Sequence, residues 1–518
     1  SAKSAKLKGI NRLCTADQRV IDKWIEMSID HKKNQRDIAV GAAANYGGFL
    51  FRLSVRIPFL FLAGMLFGAE HYGEYVFATS FIEAIGVLCC LGFKRSIFGF
   101  LEESDLYKDP REAAKLLMAC WKLTLIAALG FACLVFVFAE SIANFLNSPE
   151  VAIALRHLCW ALPLIVTIDL FLSGCRFRRK IRYEVFARSM TEPVVLTIAA
   201  VIFYLQGFTE NGLFWSYLIA LTATSAAATY GLHKSYTHAE FGSIAAIPTA
   251  IVLLRRAAPT GAYEFLKMVL DRLHILLVTF FFSESVTGVY GAAVQFTTLL
   301  NKIGAGFEPI LAPVVAQLTN RGSGEQLHHQ LAKIIRWVLS IELLLVVLFI
   351  LFGRDILGAI GEEFATGEQI MWILVCAVAV QSAFMCNDLP VVYKRPLWNL
   401  TIILVLLGIC GGSAYFLAPK FGPEGVAMAL LITHLCGAIL SSCLIWHLFS
   451  VWPFERATFK PLISLFVGMT VGYLGLSLGI PRVVGALLVI LCFAATAYRF
   501  SASSEERKWI SRKLKKSA

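Results

Sequence analysis

FGAEHYGEYVFATSF, from Phe67 to Phe81, and FSESVTGVYGAAVQF, from Phe282 to Phe296, are two versions of one segment set 215 residues apart. Phe67/Phe282, Gly73/Gly288, Tyr75/Tyr290, Ala78/Ala293 and Phe81/Phe296 are identical pairs. Each copy leaves a long apolar stretch, makes a tight polar turn and enters another apolar stretch. A fainter echo follows, where TENG ending at Gly212 answers GPEG ending at Gly425, each just before an apolar run. Internal duplication in a chain of apolar runs points to a carrier whose substrate site lies between the halves.

Working outward, apolar residues make up 58% of the 518, enough for fourteen spans of roughly 20 residues each. The expected spans are 38–67, 74–101, 113–139, 151–173, 183–206, 212–231, 259–282, 288–316, 331–353, 367–390, 397–417, 425–449, 460–479 and 483–499. A count of twelve, without the final pair, is the alternative. The expected fold is an all-α polytopic membrane protein of two six-helix bundles followed by a C-terminal helix pair. Its parts are a cytoplasmic amphipathic arm 1–37, bundles 38–235 and 259–450, a cytoplasmic linker 236–258, the pair 451–500 and a basic tail 501–518.

Charge supports the even count. With the N-terminus in the cytoplasm, 37 of the 47 Lys and Arg residues fall inside and only Arg354, Lys420 and Arg482 fall outside. One missed span would reverse every later loop and erase this asymmetry. The net charge of +12 therefore belongs to collars at an anionic lipid surface rather than to nucleic-acid binding. Arg176, Arg178, Arg179, Lys180 and Arg182 form one such collar, expected at the inner membrane face with both termini cytoplasmic.

The first 37 residues show no apolar core after their basic start, so no signal peptide is expected. Thr15 with Gln18 makes a capping-box pattern, and Val20, Ile21, Trp24, Ile25 and Ile29 recur at helical spacing. The thirteen cysteines lack metal spacing and read as small apolar side chains. His328 and His329 read as part of a polar inner loop, and no metal site is expected. No phosphate loop of the GxxxxGK[ST] type occurs. The loops are too short for a separate catalytic domain, so no catalytic residue and no cofactor are expected.

The run LFGAEHYGEYVFATSFIEAIGVLCCLGFKRSI, beginning at Leu66, resembles the first-to-second helix signature of polysaccharide flippases. These belong to the multidrug/oligosaccharidyl-lipid/polysaccharide exporter superfamily. The stretch from Asp271 through Phe282 to Gly288-Val289-Tyr290 resembles the start of that family's second half, and FGPEGVAMA from Phe421 to Ala429 resembles its twelfth helix. The resemblance covers about residues 38–450. It implies two MATE-like six-helix bundles, a central cavity and export of a polyprenyl-diphosphate-linked oligosaccharide. Membrane lipids and a polysaccharide polymerase machinery are the other partners it implies. The basic Arg/Pro/Asn run of the peptidoglycan-precursor flippases is absent.

The residues suggest where such a head group would sit. Asn45, Arg52 and Arg56 share a helical face of the first span. An Arg facing lipid at mid-depth costs about 3 kcal/mol or more, so two on one stripe argue for a polar cavity, where their forks suit a diphosphate. Structural ion pairing is the competing explanation. In the second half Lys267, Asp271 and His274 share a face beside Arg272, and Gln295, Thr298 and Lys302 share another on the eighth span. Arg272 and Lys302 have no acid one turn away. The substrate-binding set is therefore Asn45, Arg52, Arg56, Arg272, Gln295 and Lys302.

Among the acids within spans, Glu192 is expected to pair with Arg188, and Asp169 with the nearby basic loop. Asp271 and Asp388, with Lys267, are then the candidates for coupling to a proton or sodium gradient. Gly468, Gly472, Gly475 and Gly479 form a small-residue seam whose expected partner is the fourteenth span. The reading is a flippase working by alternating access. A multidrug or small-solute antiporter is the alternative in the same fold. A membrane-embedded polymerase or ligase, or a scaffold, is the alternative from other classes.

Overall fold

Long apolar runs satisfy their backbone polar groups in lipid only as helices or closed barrels. In the computed structural model, which describes residues 47–48, 51–103, 110–146, 148–178, 180–236, 247–321, 324–384, 387, 390–391, 396–502 and 506–507, every regular element is helical. The expected N-terminal arm and almost all of the basic tail lie outside the described residues. The first half comprises α1 (Phe51–Cys89), α2 (Phe93–Glu103), α3 (Pro110–Leu146), α4 (Glu150–Leu158), α5 (Ala161–Phe177), α6 (Arg182–Leu205) and α7 (Gly212–Ser235). The second comprises α8 (Ile247–Phe281), α9 (Glu284–Arg321), α10 (Gly324–Gly358), α11 (Glu368–Phe384), α12 (Pro396–Phe421) and α13 (Pro423–Phe449). The final pair is α14 (Pro461–Ser477) and α15 (Arg482–Thr496).

Among the described residues, nine helices are long and apolar enough to cross a membrane, or ten if the α4–α5 pair, bent by 42°, is one span. The shortfall from fourteen has visible sources. Two expected spans share α1, and polar or charged residues run through α7, α8 and α9. Large apolar side chains such as Phe138, Phe416, Phe466 and Tyr473 stay more than half exposed, as lipid-facing surfaces require. The chain is a multi-pass membrane protein.

A straight helix of 39 residues would be about 58 Å long, nearly twice the hydrocarbon thickness. Instead α1 folds back on itself at Gly68, whose φ of 77° suits a residue without a Cβ. The rings of Phe59 and Tyr75, one on each arm, stand 6.2 Å apart. The freed amide of Ala69 donates to Glu363 Oε1 at 2.8 Å. The second arm ends earlier than the expected 101. The helix breaks at Leu91 and Gly92, with φ of 53° and 76°, and α2 starts anew.

The 215-residue offset is physical. A methyl group placed on Gly73 would lie 1.8 Å from the Glu284 carbonyl oxygen, and one on Gly288 would lie 1.9 Å from that of Ala69. Glu284 is the counterpart of Ala69, so the two contacts are one contact seen from both sides. This reciprocity is the mark of a two-fold relation. Ser148 donates to the Glu284 carboxylate, just as its counterpart Glu363 accepts from Ala69. Phe59 with Tyr75 likewise answers His274 with Tyr290, whose rings lie 5.6 Å apart. Internal packing repeats too: α5 and α6 both pack on α7, as α11 and α12 both pack on α13.

The halves thus meet at one end, around Gly73 and Gly288. They also meet at the opposite end, where a methyl on Gly92 would lie 2.5 Å from the Ala257 carbonyl oxygen. Asp169 braces this second end, accepting from Lys94 at 3.0 Å and from Arg188. The Gly seam departs from expectation: Gly472 points at Leu351 of α10, and Gly468 meets both Phe493 of α15 and Val347 of α10. Helix α14 therefore sits between α15 and the second half. His328 and His329 lie on α10 rather than in a loop. His329 bonds Glu455 Oε1 at 2.6 Å, His328 bonds the Trp452 carbonyl, and the three side chains hold metal-ligating atoms within 4.8 Å of one another. Sequence spacing hides this group because Glu455 lies 126 residues downstream.

Candidate functional site

Between the two contact ends lies a cavity of about 50 Å³. The first arm of α1 supplies Arg52, Arg56 and Phe59, and the second arm supplies Tyr75, Thr79, Ser80 and Glu83. Glu192 and Pro193 come from α6, Tyr217 from α7, Arg272 from α8 and Gln295 from α9. The helical spacing of four brings Arg52 and Arg56 to one wall. The fold-back at Gly68 then lays Thr79 and Glu83 opposite them. Ser80 and Gln295 are counterparts in the duplication, and both face this space.

Three guanidiniums and two carboxylates share the cavity. Arg52 donates to Glu192 Oε1 at 3.1 Å, within the first half. Arg272 donates to Glu83 Oε2 at 2.6 Å, joining the second half to the first. The Tyr217 hydroxyl donates to the same carboxylate at 3.5 Å. Arg56 meets no carboxylate among the described residues. The formal excess is one positive charge.

A larger cavity, about 460 Å³, lies inside the second half and shares Arg272 with the first. Lys267, Asp271, His274, Thr298, Gln381, Asn399 and His434 are among its lining residues. Gln381 Nε2 donates to Asp271 Oδ1 at 3.3 Å, and His274 bonds the Tyr290 hydroxyl at 3.1 Å. In the duplication Lys267 and Asp271 stand where the first half has Arg52 and Arg56. One half thus carries two cations, and the other a cation and an acid.

Of the residues singled out from sequence, Arg52, Arg56, Arg272 and Gln295 come together, and Lys267 and Asp271 line the adjoining cavity. Asn45, Asp388 and the side chain of Lys302 lie outside the described residues. Two pairing expectations change. Glu192 pairs with Arg52 rather than Arg188, because the π-helical turn Val185–Thr191 separates their faces and Arg188 turns to Asp169. Arg272 lacks an acid one turn away but finds Glu83, 189 residues distant in sequence. Glu83 and Glu192 are the site residues that sequence reasoning missed. Their signal in the sequence was an acid in an apolar span; the π turn before Glu192, a feature common at functional sites, shows only in the structure.

The comparisons agree with this architecture. Residues 62–365 match the family described as polysaccharide biosynthesis protein. A lipid II flippase, MurJ, in an inward closed conformation is 16% identical with a TM-score of 0.67, covering 89% of this chain and 99% of its own. An inward-facing MATE-family multidrug resistance transporter of the MOP superfamily is 16% identical with a TM-score of 0.65, covering 78% of this chain and 99% of its own. A MOP-superfamily transporter from Pyrococcus furiosus, with a binding pocket described as reversed in polarity, is 16% identical with a TM-score of 0.58, covering 79% and 95%. No curated protein matches in sequence. With more than half its length matched and a MOP-type transporter fold, the chain belongs to the polysaccharide biosynthesis protein family.

Proposed function

We propose that this protein moves a polyprenyl-diphosphate-linked oligosaccharide from the cytoplasmic to the outer leaflet of a bacterial inner membrane by alternating access. The observation that carries the reading is the convergence of Arg52, Arg56 and Arg272, from both halves, on one cavity at their interface. Guanidinium forks suit phosphate oxygens. Glu83 and Glu192 offset the cost of holding Arg272 and Arg52 in a low-dielectric site. A diphosphate entering the cavity would take over those pairings and join Arg56, while the glycan occupies space made by opening the halves. At about 50 Å³ the cavity is far below the several hundred Å³ of a ligand-filled pocket. The space among these charged side chains is therefore closed in this conformation.

An antiporter of organic cations would be served by an acidic cavity, whereas this one carries excess positive charge. The deciding experiment follows defined lipid-linked sugars in vesicles containing only this protein. Transfer between leaflets with the lipid intact supports the flippase. Retention in the starting leaflet by folded protein rejects it. Release of free polyprenyl diphosphate would instead identify a polymerase or ligase.

A further inference from the structure

Glu342 is fully buried at 0% exposure within α10; among the described residues neither carboxylate oxygen has a hydrogen bond within normal geometry, and the Ser382 hydroxyl stands beside it. Its surroundings follow from the helix register. Gly353 of α10 abuts Met371 of α11. Antiparallel packing then places Glu342, eleven residues earlier, opposite Ser382, eleven residues later. The Ser382 hydroxyl donates to the Leu300 carbonyl of α9 at 3.3 Å. Gln381, beside Ser382 in sequence, faces the larger cavity and donates to Asp271. Glu342 thus lies one helix layer behind the cavity wall, where α9, α10 and α11 meet.

The charged groups around it do not account for it. Helix α14 contains no charged residue, and neither does α11 beyond Glu368 at its start. On α15 Arg482 pairs with Asp355 at 2.7 Å. On α10 itself Arg336 is held by Glu506 at 2.6 Å, and Arg354 lies more than three turns away. The charged residues of α9 near this level are Lys302 and Glu308, whose side chains lie outside the described residues. A carboxylate in such a place is retained in its neutral form unless a partner or water reaches it. Its counterpart in the first half, at the same 215-residue offset, is Ala127, so the position does not need an acid for packing.

We propose that Glu342 is a proton-binding site of the second half. It holds a proton in this closed state and gives it up when movement of α9 and α11 admits water from the Gln381–Asp271 wall. The proton is transferred to that water without any other bond changing. This assignment rests on the transporter reading above, and it names a proton rather than sodium as the coupled ion.

Infrared spectra of the full protein in lipid vesicles test it directly. Wild type at neutral pH is expected to show a protonated carboxylic C=O band that shifts in deuterated water and is missing from Glu342→Gln. Glu342→Asp, a second acid, should restore such a band if the Gln variant is misfolded. A carboxylate held ionised, by Lys302 or any other group, would give no such band and would overturn the proposal. In flipping assays wild type should accelerate several-fold under an imposed pH gradient, and Glu342→Gln should flip at a rate indifferent to it. An unaltered pH response in Glu342→Gln, or acceleration by a sodium gradient alone, would also overturn it. If no lipid-linked sugar moves in any sample while the band persists, the substrate reading fails and the proton site stands.

Discussion

Arg272 of the second half donates to Glu83 of the first at 2.6 Å, so an ion pair inside the central cavity spans the interface between the two halves. Each partner is about one quarter exposed, so solvent and substrate can both compete for it. Glu83→Gln and Arg272→Gln should therefore be coupled, with a double-mutant interaction in transport rate of about 1 kcal/mol or more. Additive effects in vesicle flipping would show that the pair does not act as a unit.

Arg52→Ala and Arg56→Ala are each expected to lower flipping by about tenfold to a hundredfold, the range for losing a charge-assisted hydrogen bond. Membrane abundance of Arg56→Ala should stay near wild type, since no carboxylate among the described residues loses a partner, whereas Arg52→Ala also frees Glu192 and needs its abundance measured alongside. Lys at either position should recover only part of the rate, because it lacks the bidentate fork. Full activity of the double Ala variant in the vesicle assay would reject head-group binding by this pair.

Gly73→Leu and Gly288→Leu should drive the halves apart at their shared contact, since any side chain there meets backbone rather than a movable group. The expected result is increased labelling by impermeant thiol reagents of a cysteine placed at Ser80. Unchanged labelling in both variants would mean that this contact opens and closes independently of the cavity.

Asp271→Asn keeps the hydrogen bond from Gln381 but removes the ionisable group on the cavity side of the wall. Binding of the diphosphate lipid should be retained within a few-fold, while the response of flipping to a pH gradient is lost. A wild-type response would reduce Asp271 to a local partner of Lys267 and Gln381.

Gly472→Leu tests the seam between α14 and α10, where Leu351 occupies the space a side chain would need. Overpacking of this kind costs about 1–3 kcal/mol, so detergent-solubilised protein should melt several degrees lower. An unchanged melting temperature would show that α14 can slide along α10 without loss.

How much of this was legible in the chain can be judged residue by residue. The echo of Phe67–Phe81 in Phe282–Phe296 revealed two halves, because duplicated backbones need glycine at the same close approach. Apolar run length marked the helices, since long apolar runs obey the membrane as solvent, while the sorting of Lys and Arg gave an expected sidedness. Helical spacing put Arg52 with Arg56, and Lys267 with Asp271. Those are all local or statistical properties, which one dimension records. Tertiary structure decided which charges meet. Glu83 reaches Arg272 across 189 residues, Glu192 is taken from Arg188 by a π turn, and Glu342 is buried because three helices close around it. Pair choice in a cavity depends on distances that arise only when helices far apart in sequence pack, so no spacing rule along the chain carries it.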